Sequence, residues 1–243
     1  MNNKYEKLSK FYELCIPDFW IPFKKLFESN IPIGKYKILD LGCGTGVAFN
    51  YLEKYISTYK GVDHSLEMLN IARNNFPFLD FLEKDITEYD ESLKNKYDIV
   101  LCAFDTINHI LEKEDWLKIF NCSFNMLDKN GFFIFDICTT NDHQYNWFNY
   151  IDYQDKDNFG WLKIGNYNHT NHLAKTKNSF FIFDKETNLY QKETDIITQI
   201  SFPINEIISM LNNANFHNIT VYDLHFGTEV DENTSVASFF VKK

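Results

Sequence analysis

From residue 36 to about residue 137, short runs of aliphatic, aromatic and β-branched residues alternate with amphipathic segments. The runs at 36–41, 59–63, 78–83, 97–102 and 132–137 predict strands, since each is short, apolar and suited to a pleated, half-buried surface. Between them, 65–75 and 115–127 predict helices. In the first of these, Leu66, Leu69, Ile71 and Ala72 fall on one side, Ser65 stands at the N-cap position with Met68 one turn on, and Glu67 places an acid in the first turn. Near-continuous apolar strands separated by helices predict a parallel sheet covered on both faces, with right-handed crossovers.

After Ile137 the rhythm changes. Residues 140–202 alternate polar and aromatic positions with a period of two, as in Phe180-Phe181-Ile182-Phe183 and 194–200. Turn signals at Asp157-Asn158, Gly165-Asn166 and Thr187-Asn188 divide this stretch into antiparallel hairpins. Pro203 suits the start of a helix through Ile204, Ile207, Ile208 and Leu211. Strands at 219–224 and 236–241 complete the chain. The pattern predicts an α/β fold: a Rossmann-like, seven-stranded, mostly parallel sheet with helices on both faces, plus a small antiparallel β insertion. Residues 1–139 and 203–243 form the main domain and 140–202 the inserted subdomain.

The chemistry concentrates at Leu39-Asp40-Leu41-Gly42-Cys43-Gly44-Thr45-Gly46. The loop follows a predicted strand and opens a helix, the context in which a glycine motif carries meaning. Glycine admits backbone conformations closed to other residues and lets a ligand approach the main chain, and a helix N-terminus offers free N–H groups. Asp63, about twenty residues on, ends the second strand, where an acid accepts the hydroxyls of a ribose. A nucleoside-containing cofactor is the expected ligand. The spacing Gly-x-Gly-x-Gly departs from the Gly-x-Gly-x-x-Gly of dinucleotide sites. Asp40 would repel a pyrophosphate and suit an ammonium group.

This loop resembles motif I of the class I S-adenosylmethionine-dependent methyltransferases. Asp63, Glu83-Lys84-Asp85-Ile86, Tyr97-Asp98-Ile99-Val100 and Gly131-Phe132-Phe133-Ile134 extend the resemblance over nearly the whole chain. A narrower group is also similar: small bacterial enzymes with a β-rich insertion after the fifth strand, acting on amino sugars and other small amines. Phe11-Tyr12-Glu13 and Asp105-Thr106-Ile107-Asn108-His109 match two of its segments, with Glu13 in place of the usual aspartate. The resemblance implies S-adenosyl-L-methionine as cofactor and S-adenosyl-L-homocysteine as product. It implies cofactor contacts from Tyr12, Asp40, Gly42, Cys43, Gly44, Gly46, Asp63, His64, Met68, Asp85, Ile86 and Ala103. Met68 would pack on the adenine and Asp85 would meet its amino group. Asp105 and His109 are the candidate catalytic residues, and Asn108, Trp147 and Trp161 the candidate substrate contacts. The expected acceptor is a small molecule, an amine or a hydroxyl compound.

Composition narrows the partners. The net charge is −10, and Lys and Arg form no run among the 243 residues, which argues against nucleic acid or an anionic membrane as partner. The N-terminal sequence has no signal-peptide core and no stretch is long enough to cross a bilayer. Five scattered cysteines without a Cys-x-x-Cys pair suit a reduced, cytoplasmic setting. His169-x-x-His172 has no Cys or acid at ligand spacing, so it reads as a solvated turn, and no metal is expected. A monomer or a homodimer fits equally. Three alternatives remain: a nucleotide-dependent oxidoreductase, a non-catalytic S-adenosylmethionine-binding regulator, and an RNA or protein methyltransferase.

Overall fold

The computed structural model describes residues 19–88, 90–156 and 158–243. Helix α1 (Trp20–Asn30) leads into β1 (Tyr36–Leu41), α2 (Ala48–Leu52), β2 (Ile56–Asp63), α3 (Leu66–Asn75) and β3 (Asp80–Glu83). β4 (Tyr97–Cys102), α4 (Lys113–Met126) and β5 (Leu127–Cys138) follow, then β6 (Ile151–Lys156), β7 (Phe159–Asn168), β8 (Leu173–Asp184) and β9 (Leu189–Ile200). α5 (Ile204–Asn213), β10 (Asn218–Asp223) and β11 (Val236–Lys242) end the chain.

Seven strands form one sheet in the order β10-β11-β5-β4-β1-β2-β3, with β11 antiparallel to both of its neighbours. The order reverses between β1 and β4. Ligands of open α/β sheets bind in the crevice at such a reversal, beyond the carboxyl ends of the strands. The strands feed two cores. Ile38, Ile99, Leu101 and Ile134 pack with Phe23, Phe27, Leu52 and Leu69 on one face. Leu39, Val100, Phe133, Phe135 and Phe239 pack with Trp116, Phe120, Ile207 and Leu211 on the other. Burying each of these large apolar side chains contributes about 1.5–3 kcal/mol. Alternation of side chains along a strand is what divides neighbouring residues between the two cores.

Local chemistry sets the element ends. Ser65 Oγ accepts the Met68 N–H at 3.3 Å and caps α3. Pro203 precedes α5, whose Ile207 N–H reaches the Pro203 carbonyl at 3.0 Å. β5 starts five residues earlier than the hydrophobic pattern predicts. The polar stretch Asp128-Lys129-Asn130 looks like a turn, yet Leu127 already pairs with Tyr97 and the irregularity is absorbed between Tyr97 and Ile99.

β6 to β9 make a separate antiparallel sheet of four strands. Two features of its sequence reading change. Gly165-Asn166 is not a turn: both residues lie inside β7, where Gly165 pairs with Thr176. A Cβ at Gly165 would fall 2.6 Å from the Trp147 carbonyl, so close backbone approach explains the glycine. The hairpin turn is instead the exposed segment 169–172, in which Tyr167 Oη and His172 Nδ1 are 2.9 Å apart. Among the described residues, no helix is long and apolar enough to cross a membrane.

Candidate active site

The glycine loop leaves β1 through three residues of positive φ, Gly42 at 71°, Gly44 at 53° and Gly46 at 79°. L-residues with a side chain rarely adopt that backbone. At Gly42 space is also closed, since a Cβ would lie 2.2 Å from Thr106 Cγ2. Gly42 and Cys43 donate their N–H groups to the Val62 carbonyl at 2.7 and 3.0 Å, which seats the loop against β2. Thr106, on the turn after β4, donates its hydroxyl to the Ala103 carbonyl at 2.8 Å and lies 3.5 Å from the Gly42 carbonyl. The loops after β1, β2 and β4 therefore meet at the reversal of strand order.

Asp63, 7 % exposed, stands at the tip of β2. Its Oδ2 accepts the Gly44 N–H at 2.9 Å and its Oδ1 accepts the Ser65 N–H at 2.8 Å. Burial raises its pKa, and the Ser65 and Gly44 N–H groups oppose that rise. A carboxylate has about four acceptor sites, so Asp63 keeps acceptor capacity for a hydroxyl donor after these bonds. Thr45 Oγ1, buried within the same loop, has no hydrogen-bond partner among the described residues and would be satisfied by a ligand or ordered water. An aimed carboxylate, a buried hydroxyl and a glycine-rich loop fit a nucleoside cofactor.

Asp40 departs from its expected place. It is 3 % exposed and its Oδ2 accepts the Tyr59 hydroxyl at 2.5 Å, so the carboxylate is engaged inside the α1–α3 face of the sheet. Burial pushes it up to about 7, against the pull of the Tyr59 bond. Cys43 and Ala103 are also buried in that core, and Met68 is buried in the first turn of α3. His64 is mostly exposed, with Nδ1 3.7 Å from Asp63 Oδ1. Asp85 is exposed and its Oδ1 accepts the backbone N–H and hydroxyl of Thr87 at 2.9 and 2.8 Å. Ile86 packs against the α4–α5 core. Tyr12 lies outside the described residues.

A second polar cluster forms where the turn after β4 meets the small sheet. Phe104 and Asp105 both have left-handed backbones, with φ of 61° and 49°. Consecutive left-handed residues cost of order 1–2 kcal/mol each. Asp136, fully inside β5, offsets this by accepting the Phe104 N–H at 2.7 Å and the Asp105 N–H at 2.8 Å. Burial, then the nearby Asp105 charge, pushes Asp136 up to about 8. Asp105 itself is pushed up to about 6 by burial, opposed first by a hydrogen bond from Gln199.

Gln199, on β9, ties the cluster together. Its Nε2 donates to Asp105 Oδ2 and lies 3.0 Å from His109 Nε2. Its Oε1 is 3.2 Å from His143 Nε2. Asn108, expected at the acceptor, has a different role. It is fully buried, its Nδ2 donates to the carbonyls of Cys138 at 3.1 Å and Ile200 at 2.8 Å, and its Oδ1 accepts the Cys138 N–H at 3.0 Å. With its amide committed to the backbone, Asn108 clamps β5 and β9 to the turn.

Trp147 borders the cluster: its Nε1 donates to Asp142 Oδ2 at 2.8 Å, its ring lies 4.9 Å from that of His143, and Lys163 Nζ sits 5.0 Å over its centroid. Trp161 lies within the small sheet, packed with Phe159 and Phe180, and donates to buried Asn178 Oδ1 at 3.1 Å. Among the described residues, no group of three or more His, Cys, Asp or Glu is placed to hold a metal ion.

Four residues of these clusters escape the sequence reading. Asp136 carried a signal, a lone acid inside the apolar run Phe132 to Cys138. Thr106 lies in the Asp105-to-His109 segment, where the sequence assigns it no role. Gln199 and His143 sit in polar stretches that carry no motif.

The doubly wound sheet with its antiparallel seventh strand, and the glycine loop at its reversal, have the arrangement of the class I S-adenosylmethionine-dependent methyltransferase fold. Residues 38–131 match the model of the family described as Methyltransferase domain, the stretch from β1 to the start of β5 that holds the glycine loop, Asp63 and Asp105. YqeM of Bacillus subtilis (strain 168) is similar, at 27 % identity over 205 residues, 81 % of this chain and 80 % of that protein. Two solved structures share the fold. An S-adenosylmethionine-dependent methyltransferase from Clostridium acetobutylicum ATCC 824 superposes with a TM-score of 0.80 at 24 % identity, covering 98 % of this chain and 95 % of that one. The sugar N-methyltransferase KedS8 from Streptoalloteichus sp ATCC 53650 superposes with a TM-score of 0.73 at 15 % identity, covering 96 % and 91 %.

Proposed function

We propose that the enzyme methylates a small-molecule acceptor, an amine or hydroxyl compound, in the corner between the turn after β4 and the small sheet. The observation that carries this reading is the polar cluster of Asp105, His109 and Gln199, which joins the ligand edge of the main sheet to β9. Polar groups converging in a partly desolvated corner suit a small, polar acceptor. The acidic composition and the fold shared with a sugar N-methyltransferase support the same reading.

When bound, S-adenosylmethionine supplies a methyl group on a positively charged sulfur, which needs no further activation by the protein. Asp63 would hold the ribose hydroxyls, and Gly42 to Gly46 would leave room for the methionine part. Met68, Asp85, Ile86 and His64 would lie toward the base and ribose. On the acceptor side, Asp105 accepts a hydrogen bond from the amine or hydroxyl and takes its proton. With Asp105 pushed up to about 6, the group is mostly a carboxylate at neutral pH and a stronger base than a solvated aspartate. Residues 140–202 act as an acceptor-facing subdomain, with Trp147 and Lys163 at its inner rim, and exclude water from the corner.

The test is release of S-adenosylhomocysteine across a panel of amines, amino sugars and hydroxylated sugars, run beside RNA and peptide pools. Turnover confined to small molecules is the expected result. Turnover only with RNA or peptides would overturn the reading.

A further inference from the structure

We propose that Gln199 is the positioning residue that fixes His109 as its Nδ1–H tautomer beside an unprotonated Asp105, leaving Asp105 to take the acceptor's proton. The proposal rests on the reading that Asp105 and His109 face the acceptor.

The argument follows from what each atom of one amide is able to do. A glutamine side chain offers two N–H donors on nitrogen and an acceptor oxygen. Asp105 fixes which end is which, because an amide oxygen turned toward a carboxylate would be repelled. Gln199 Nε2 therefore gives one hydrogen to Asp105 Oδ2 and faces His109 Nε2, 3.0 Å away, with the other. His109 Nε2 must accept, so in the neutral ring the proton sits on Nδ1. On its other end, Gln199 Oε1 only accepts, so His143, 3.2 Å away, must carry its proton on Nε2. That leaves His143 Nδ1 bare, and this atom is buried without a protein partner among the described residues. Burial also lowers the pKa of His143, in keeping with a neutral ring.

Function follows from the tautomer. The basic nitrogen of His109 is occupied by Gln199 and cannot receive the acceptor's proton while that contact holds. The proton-accepting group left for the acceptor is therefore Asp105. Register places Gln199 on β9 opposite Ala174 of β8, which pairs in turn with Tyr167 of β7. The small sheet thus reaches the catalytic corner through the Gln199 side chain. Among the described residues, the titratable groups that act on Asp105 and His143 include Asp142, Cys138 and Lys163.

The experiment is nitrogen-15 NMR of histidine-labelled full-length protein, comparing wild type with Gln199→Glu and Gln199→Leu, with His109→Gln to assign the resonance. In wild type the proposal expects His109 as the Nδ1–H form and His143 as the Nε2–H form. Gln199→Glu keeps the shape but turns a donor into an acceptor, so His109 should gain a proton on Nε2 and its titration midpoint should rise by at least about one pH unit. Gln199→Leu removes the donor, so the Nδ1–H form of His109 should lose population relative to wild type. Retained S-adenosylhomocysteine binding shows that each variant is folded, and the nearly isosteric Glu variant keeps the test decisive if Leu does not fold. His109 as the Nε2–H form in wild type, or an unmoved midpoint in Gln199→Glu, would overturn the proposal. Unchanged turnover in both Asp105→Ala and His109→Ala, with the tautomers as expected, would sink the acceptor reading and leave the tautomer assignment standing.

Discussion

Asp136 holds Asp105 by its backbone, taking the Asp105 N–H on Oδ2 at 2.8 Å while its other oxygen takes the neighbouring Phe104 N–H. A buried acid on the fifth strand thereby fixes a left-handed turn after the fourth.

This pair gives a pH-dependent stability. The pKa of Asp136 rises from an ordinary 3.8 to about 8 in the fold, chiefly through burial. A raised carboxyl contributes stability that is fully present below the unfolded value and is lost as pH rises through the folded one. Wild type should therefore lose stability relative to Asp136→Asn between about pH 4 and pH 8. Urea denaturation across that range measures it. A difference between the two proteins that does not change with pH would contradict the assignment.

Gly42→Ala should destabilise the protein by at least about 1 kcal/mol, because φ of 71° already disfavours a side chain and Thr106 closes the space. Denaturation midpoints of the variant and of the double variant Gly42→Ala/Thr106→Ser check the cause. The smaller residue at 106 should recover part of the loss, and equal midpoints would remove Thr106 from the explanation.

Asp105→Ala should lower turnover on a competent acceptor by about 10²–10⁴ while leaving cofactor affinity nearly unchanged, the range for loss of a positioned proton acceptor. Steady-state kinetics beside calorimetry separates the two effects. Loss of cofactor binding in parallel would place Asp105 on the wrong side of the site.

Nucleic acid should bind weakly and be released at moderate salt, since a chain of net charge −10 has few cations to displace counterions. A filter assay with RNA at two salt concentrations tests this; tight, salt-resistant retention would refute it.

Much of the main sheet was legible because its strands are short apolar runs with local boundaries. β1 and β4 begin and end where the pattern changes, and Ser65 caps α3 as its position suggests. The glycine loop was legible for the same reason, since its chemistry is contiguous in sequence. What was not legible depends on partners distant in the chain. Asn108 looked like a substrate contact until its amide met the carbonyls of Cys138 and Ile200, 30 and 92 residues away. Gln199 lies 94 residues from Asp105, in a strand whose polar alternation resembles a solvated face. Asp40 was placed by its neighbour in the motif, but the tyrosine that engages it comes from the adjacent strand.

The central claim is that the glycine loop and Asp63 form the cofactor site, and calorimetric titration of S-adenosylhomocysteine into wild type and Asp63→Ala tests it most directly. Removing a charged hydrogen-bond acceptor should weaken binding by about 1.5–3 kcal/mol, roughly ten- to more than a hundredfold. Because Asp63 also accepts the Gly44 and Ser65 N–H groups, the variant should melt at a lower temperature, so the titration is run well below its transition. Saturable binding by wild type and this loss in the folded variant is the predicted result. Equal affinity in a folded Asp63→Ala, or no binding by wild type, would contradict the account.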